Sequence, residues 1–302
     1  MRIRRHRLPE PFDLTATVAP FVRGTGDPTS ERGDDGWWFA WTTPEGPVTL
    51  HLTDEGIEVL ASAWGAGAEW MLDRLPDLLG GRDDPSGFTP HHDLVARAWP
   101  QMSTWRVPAN GLVAQMLVCS VIEQKVTGRE AFSSLRQLVR GHGTPAPGPG
   151  EDRGLITPPS PAEWARIPSW AWVKAGVDGS RSRTIVTAMR VAGRLDECAD
   201  LPLEEAHRRM RSLRGIGVWT AAEVAQRALG DADSPSFGDY HVAKDVTLAL
   251  DGVIGDDARM AELLEPYAGQ RYRAQRVITA AAGPRPRRGP RRSLPGHLPT
   301  RW

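Results

Sequence analysis

Cysteine is nearly absent: Cys119 and Cys198 are the only two in 302 residues. That is too few for a thiolate cage around zinc or an iron–sulfur cluster, and their spacing is not that of a metal pair. Both sit in apolar, helix-like surroundings and read as buried thiols. No apolar run approaches the roughly 20 residues needed to cross a bilayer. The basic start Met1-Arg2-Ile3-Arg4-Arg5-His6-Arg7 is followed by no hydrophobic signal core, so a cytoplasmic protein without a membrane partner is expected. Net charge is missing as well, since 37 Lys and Arg balance 37 Asp and Glu, and bulk electrostatics argue neither for nor against nucleic acid. There is no phosphate-cradling Gly-rich loop with its Lys, and no Ser nucleophile elbow. His241 and the pair His91-His92 have no metal-ligand spacing around them, which leaves a zinc hydrolase unsupported.

Against these absences stand arginine-rich ends and an abundance of tryptophan. Arginines crowd the first seven residues and the stretch Pro284-Arg285-Pro286-Arg287-Arg288-Gly289-Pro290-Arg291-Arg292, which reads as a solvated tail or a phosphate-binding arm. The 12 tryptophans either fill cores or stack on bases. Leu14-Thr15-Ala16-Thr17-Val18, Val48-Thr49-Leu50-His51-Leu52 and Ile57-Glu58-Val59-Leu60-Ala61 alternate. Turn residues such as Pro44-Glu45-Gly46-Pro47 and Asp54-Glu55-Gly56 separate them. An antiparallel meander with one buried face is expected, covered by a helix from Ala68 to about Leu75 that ends near Gly80-Gly81.

From about residue 90 the periodicity is helical. Asn110 is placed to cap a helix carrying Leu112, Met116, Leu117 and Ile122. Thr127-Gly128-Arg129-Glu130 and Ser160-Pro161-Ala162-Glu163 have capping-box spacing, and the Pro/Gly-rich stretch 142–160 between them reads as loop. Further helices are expected at about 181–194, 203–212, 218–229, 240–250, 257–265 and 268–282. The fold class is therefore α+β and mainly α: a small antiparallel sheet domain with a helix over residues 1–90, a helical bundle over 91–283, and a basic Pro/Arg-rich tail at 284–302.

Two segments carry chemistry. In Leu213-Arg214-Gly215-Ile216-Gly217-Val218-Trp219-Thr220-Ala221-Ala222 a helix ends, a Gly-x-Gly turn follows and a second helix begins with small residues. Open amides of that turn, at the positive end of the new helix dipole, suit one phosphate of a nucleic-acid strand; an ordinary helical hairpin would look the same. Beyond the second helix comes Pro235-Ser236-Phe237-Gly238-Asp239-Tyr240-His241-Val242-Ala243-Lys244, with Asp239 where a helix should start and an N-cap is the ordinary role.

Hairpin, loop and Asp at this spacing resemble the helix–hairpin–helix Gly/Pro–Asp DNA repair superfamily, and within it the 3-methyladenine DNA glycosylase II type. The likeness covers nearly the whole chain, since that type also has a sheet domain ahead of its helices. It implies a motif at 203–229, a catalytic loop at 231–239, and Asp239 as the catalytic carboxylate. It further implies a base pocket at Trp219, Glu223 and Tyr240, and DNA contacts at Gly215, Ile216, Gly217 and Thr220. Ile122-Glu123-Gln124-Lys125-Val126 is similar to the family segment that wedges into the duplex, with Lys125 at the wedge position and Gln124 beside it; a solvated Lys at a helix end is the other reading. Lyase members carry Lys where this chain has Trp219, so simple hydrolysis is implied, on double-stranded DNA with alkylated bases and by a monomer. A non-catalytic damage sensor, or a glycosylase for oxidised or mismatched bases, is the alternative.

This chain departs from the type at two places. Glu223 replaces an aromatic residue, where it could pair with a cationic base, face solvent or bridge to Arg227. A second pocket Trp is missing, for which Tyr267 or Tyr272 could substitute. No cofactor is required; a structural Na+ or K+ on the carbonyls of Arg211, Leu213 and Ile216 is implied by the resemblance. The expected cleft lies between helical subdomains, with Asp239 on one wall and Lys125 reaching the duplex from the side opposite the hairpin.

Overall fold

The computed structural model describes residues 1–7 and 12–283; the basic tail at 284–302 lies outside the described residues. Five antiparallel strands form one sheet in the order β1-β5-β4-β3-β2. They are β1 (Arg2–Arg7), β2 (Ser30–Gly33), β3 (Gly36–Thr43), β4 (Gly46–Asp54) and β5 (Glu58–Trp64). The two alternating runs at 48–52 and 57–61 are thus strands. Leu14–Val18 is not: it is a helical turn capped by Asp13, whose side chain accepts from the Ala16 amide at 2.8 Å. Leu14, Thr17 and Val18 are buried along one side of that turn, a spacing that five residues also present as alternation.

The sheet is covered on both faces. Phe39, Trp41, Leu50, Leu52, Val59 and Ala61 belong to the main core, with Met71 and Leu72 of the helix Ala68–Asp73. On the other face Trp38 and Ala40 pack with Ala146 and Leu155. The Arg153 guanidinium lies 4.1 Å from the Trp38 ring centroid, and His51 stacks on that ring at 3.9 Å. The stretch 142–160 is therefore more than loop: it carries the short pair β6 (Thr144–Pro145) and β7 (Ile156–Thr157). The basic start is no tail either, since β1 pairs along β5 from Arg2 opposite Ala63 to Arg7 opposite Glu58.

Both capping boxes form, at Thr127 with Glu130 and at Ser160 with Glu163. Asn110 does not cap the helix Val113–Glu123: its Oδ1 accepts from the Leu112 amide at 3.0 Å, and Asp196 reaches in to accept from the Ala114 amide at 2.9 Å. A side chain distant in sequence has taken the capping role.

The main core runs from the sheet into the helices Val113–Glu123, Gly179–Met189 and Val218–Ala228. A second core gathers Val95, Val246, Met260, Leu264, Val277 and Ile278 from the helices Asp93–Met102, Val242–Asp251, Asp257–Leu264 and Arg271–Ala282, with Phe88 from the stretch before the first of them. The segment 229–241 crosses from one core to the other. Everything that positions the candidate site follows from that crossing.

Candidate active site

The helix Leu203–Arg211 ends at Ser212, and the helix Val218–Ala228 begins after Gly217. Gly215 has φ +94°, and a Cβ there would collide with Thr184 of the helix Gly179–Met189, so the turn requires glycine twice over. No side chain caps the second helix, which leaves its first amides open to an outside acceptor. Gly217 and Val218 are exposed, whereas Ile216 points into the main core.

Gln124 Nε2 donates to the Gly215 carbonyl at 3.0 Å and to Thr220 Oγ1 at 2.8 Å. The turn at Gln124 and Lys125 is therefore tied directly to the hairpin. The helices bearing them pack closely because Ala221 and Ala225 are small and buried at the crossing. Thr220, only 2% exposed, serves as the acceptor for Gln124 and does not face a DNA strand with its side chain.

Lys125 is exposed and, among the described residues, is the one non-glycine residue with positive φ, at +58°. That conformation costs an L-residue roughly 1–2 kcal/mol, and strain of this kind gathers where a tip must present a side chain. Lys125→Gly is expected to be neutral or stabilising by up to about 1 kcal/mol, strain relief offset by chain entropy. The same change should weaken binding to abasic duplex several-fold; urea unfolding and fluorescence anisotropy measure the two effects. Unchanged affinity would remove Lys125 from the interface.

The balanced charge of the chain is unevenly used. Arg209, Arg227, Arg259, Arg271 and Arg273 are ion-paired. Lys125 beside Gln124, Arg183 beside Thr184 and Arg214 beside Gly215 form no ion pair among the described residues.

Asp239 is half-buried. Its Oδ1 accepts from the amides of His241 at 2.7 Å and Val242 at 3.0 Å, capping the helix Val242–Asp251. Its other oxygen accepts no hydrogen bond among the described residues. The N-cap role is therefore real and occupies half of the carboxylate. Trp219, half-buried in the first turn of the hairpin's second helix, lies against this loop: a Cβ on Gly238 would be 3.7 Å from Trp219 Cβ. Gly238 has φ +89°, and its amide donates to Asp257 Oδ2 at 2.8 Å. Buried polar atoms without a protein partner collect around this loop, namely Trp219 Nε1, His241 Nδ1 and Asp257 Oδ1. Tyr240 projects outward at 75% exposure with the Lys244 ammonium 3.7 Å from its ring centroid.

The pocket role expected for Glu223 gives way to the internal bridge. It is 8% exposed, its Oε2 accepts from Arg227 Nη1 at 2.7 Å, and its Oε1 accepts from Ser236 Oγ at 2.6 Å. Burial pushes its carboxyl up, but Arg227 and the hydrogen bonds from Ser236 and Arg227 outweigh burial and hold it below its ordinary value. Tyr267 and Tyr272 are interior too, at 3% and 4% exposure, the first held by the His91 amide and His92, the second against Trp105. Neither replaces a pocket Trp. Ser236, Gln226, Gln275 and Asp257, which hold the Asp239 loop, carry no motif in the sequence. A cavity of about 10 Å³ lies away from this loop, between Arg23, Gln115, Met116 and Trp164; it has room for about one water and none for a base.

The Leu213 carbonyl accepts from the Ile216 amide at 3.1 Å. The carbonyls of Arg211 and Ile216 accept no hydrogen bond among the described residues, so this trio retains lone pairs a monovalent cation could use. Cys119 and Cys198 are both buried free thiols. No described helix is long and apolar enough to cross a membrane.

No protein-family model matches the chain, and no curated protein matches it by sequence. Solved structures do match by shape. A 3-methyladenine DNA glycosylase from Archaeoglobus fulgidus superposes with a TM-score of 0.73 at 18% identity, over 92% of this chain and 97% of that one. MBOgg1 in complex with a low-affinity DNA ligand gives 0.68 at 15% identity, over 93% and 98%. The chain has the fold of the helix–hairpin–helix DNA glycosylases. An 8-oxoguanine glycosylase/lyase from Clostridium acetobutylicum, bound to double-stranded DNA, gives 0.64 at 12% identity, over 91% and 96%. Since both halves of the chain are covered in all three, the small sheet belongs to this glycosylase fold together with the helices.

Proposed function

We propose that the chain is a monofunctional DNA glycosylase that hydrolyses the N-glycosidic bond of alkylated bases of the 3-methyladenine or 7-methylguanine kind in double-stranded DNA, acting as a monomer. The observation that carries this reading is the pairing of a half-free carboxylate, Asp239, with Trp219 on the first turn of an uncapped hairpin helix. The hairpin amides at Gly217 and Val218 take one phosphate, with the unpaired cations nearby. Na+ or K+ on the carbonyls of Arg211, Leu213 and Ile216 would add positive charge on that side. The target nucleotide leaves the stack, because its glycosidic bond cannot be reached inside a duplex, and Lys125 enters the gap.

As the C1′–N bond breaks, its electron pair goes to the base and positive charge builds on the sugar. Asp239 stabilises that charge and orients a water whose oxygen bonds to C1′; the water's proton passes to the carboxylate and then to solvent. A base alkylated on nitrogen is cationic before cleavage and neutral after it, so it needs no general acid. The Trp219 indole face favours such a cation by roughly 0.5–2 kcal/mol. With no amine at position 219, no Schiff base forms there, and an intact abasic site is the product.

Lys244, whose ammonium lies over the ring of exposed Tyr240, the residue after Asp239, favours a second reading, a lyase that uses a different amine. Release of free base from methylated duplex, followed by borohydride treatment of enzyme on abasic duplex, separates them. Free 3-methyladenine or 7-methylguanine with no trapped covalent adduct is expected. An adduct would overturn the monofunctional mode, and tight duplex binding without release of either base would leave a damage sensor or a different lesion.

A further inference from the structure

The loop that carries Asp239 is held at Ser236 from both cores. Ser236 is 3% exposed, and its partners Glu223, Gln226 and Gln275 are 8%, 2% and 4% exposed. The Ser236 hydroxyl donates to Glu223 Oε1 at 2.6 Å and accepts from Gln275 Nε2 at 3.2 Å and Gln226 Nε2 at 3.3 Å. Its amide donates to Gln275 Oε1 at 2.8 Å, and Gln226 Nε2 also donates to the Ser234 carbonyl at 2.8 Å. Glu223 and Gln226 stand on the hairpin's second helix, Gln275 on the helix Arg271–Ala282. The Ser236 carbonyl in turn accepts from the Asp239 amide at 3.1 Å, closing the turn that ends in the carboxylate.

We infer that Ser236, latched by Glu223, is a positioning residue that sets where the Asp239 carboxylate stands; this rests on the proposed reaction. A hydrogen bond to an ionised carboxylate is about twice as strong as a neutral one, and here it is out of water. Without it the turn keeps the amide bonds of Ser236 to Gln275 and of Gly238 to Asp257 but loses its tie to the hairpin's second helix at Glu223, and Gly238 at φ +89° has no Cβ to restrain the shift that follows. A displacement of about 1 Å in a reacting group costs roughly 10²-fold in rate. Glu223 therefore acts on the reaction through the loop, with both of its oxygens directed inward and away from a base.

The experiment compares wild type, Ser236→Ala and Glu223→Gln. Ser236→Ala is expected to speed amide hydrogen exchange over 234–241 by about tenfold or more while the rest of the chain keeps its protection. It should slow single-turnover base release roughly 10–100-fold, with affinity for abasic duplex nearly unchanged and the thermal midpoint lowered by the loss of one buried charge-assisted hydrogen bond. Glu223→Gln retains an acceptor for the hydroxyl and should keep the loop's slow exchange relative to the rest of the chain, while the stranded Arg227 charge lowers global stability. Loop exchange in Ser236→Ala equal to wild type overturns the latch, and a loosened loop with undiminished release overturns its role in positioning. A wild type that releases no base overturns the functional reading instead, and exchange alone then decides the latch.

Discussion

Asp239→Asn is expected to lower the rate of base release by roughly 10²–10³-fold, the size of losing one preorganised electrostatic group, with folding and duplex binding intact. Asn retains an oxygen that can accept from the His241 and Val242 amides, which Asp239 Oδ1 now does at 2.7 and 3.0 Å, so the helix Val242–Asp251 keeps its cap. What disappears is the charge on the oxygen that caps nothing. Asp239→Ala removes the cap as well and should cost about 1 kcal/mol of stability on top of the same loss of rate. Single-turnover release from methylated duplex, measured beside affinity for abasic duplex and the thermal midpoint, separates the two roles. If Asp239→Asn fails to bind DNA, the residue is structural first. If it still releases base at the wild-type rate, the carboxylate is not the group that stabilises the sugar cation.

The parts of this arrangement that were legible in the sequence are local ones. Both capping boxes, the Gly-x-Gly turn and Asp239 at a helix start are short-range patterns with one physical cause each, and all four stand in the structure where the residues place them. The central strand β3 was hidden because Trp37-Trp38-Phe39-Ala40-Trp41 does not alternate. A strand covered on both faces, by the main core and by the 144–157 segment, has no polar side to show. The arginines of β1 read as a tail since pairing with β5 is a long-range fact. Charge suits such an edge strand: Arg2 and Arg4 reach Glu69 and Asp73, and Arg5 reaches Glu55.

At the site the same divide holds. Trp219 and Asp239 are motif positions, but the approach of Trp219 to the Asp239 loop at Gly238 depends on the 229–241 crossing between cores. The partners of Ser236 come from residues 13 positions before and 39 after it, and no spacing announces them. Gln124 was read as an accessory to the wedge, while its bonds to Gly215 and Thr220 span 91 and 96 residues. Glu223 had its true partner in view, since i,i+4 spacing to Arg227 is visible in the sequence. Sequence spacing alone could not choose between that bridge and a cationic base.

Arg227→Met carries the second large effect, this time on stability. The guanidinium donates to Glu223 at 2.7 Å and, through Nε, to the Pro20 carbonyl at 3.1 Å, and Arg23, Glu123 and Tyr272 complete the charged surroundings. Removing one member of such a buried pair strands the other charge and costs roughly 3–5 kcal/mol, whereas Arg227→Met with Glu223→Gln removes both charges and should recover a large part of the loss. The pH dependence should also change sign. In the wild type the Glu223 carboxyl is held below its ordinary 4.5, so its contribution is present above that pH and fades as pH falls through the lowered value. Without Arg227, burial is the leading influence and raises the folded-state value above that of the unfolded chain. Stability from this group is then present at low pH and lost as pH rises toward neutrality. Urea midpoints at pH 4, 5.5 and 7 measure both slopes. A variant that loses less than about 1 kcal/mol at pH 7, or one whose stability still rises with pH like the wild type's, would show that Glu223 has reached water and that the buried pair does not hold the Asp239 loop in place.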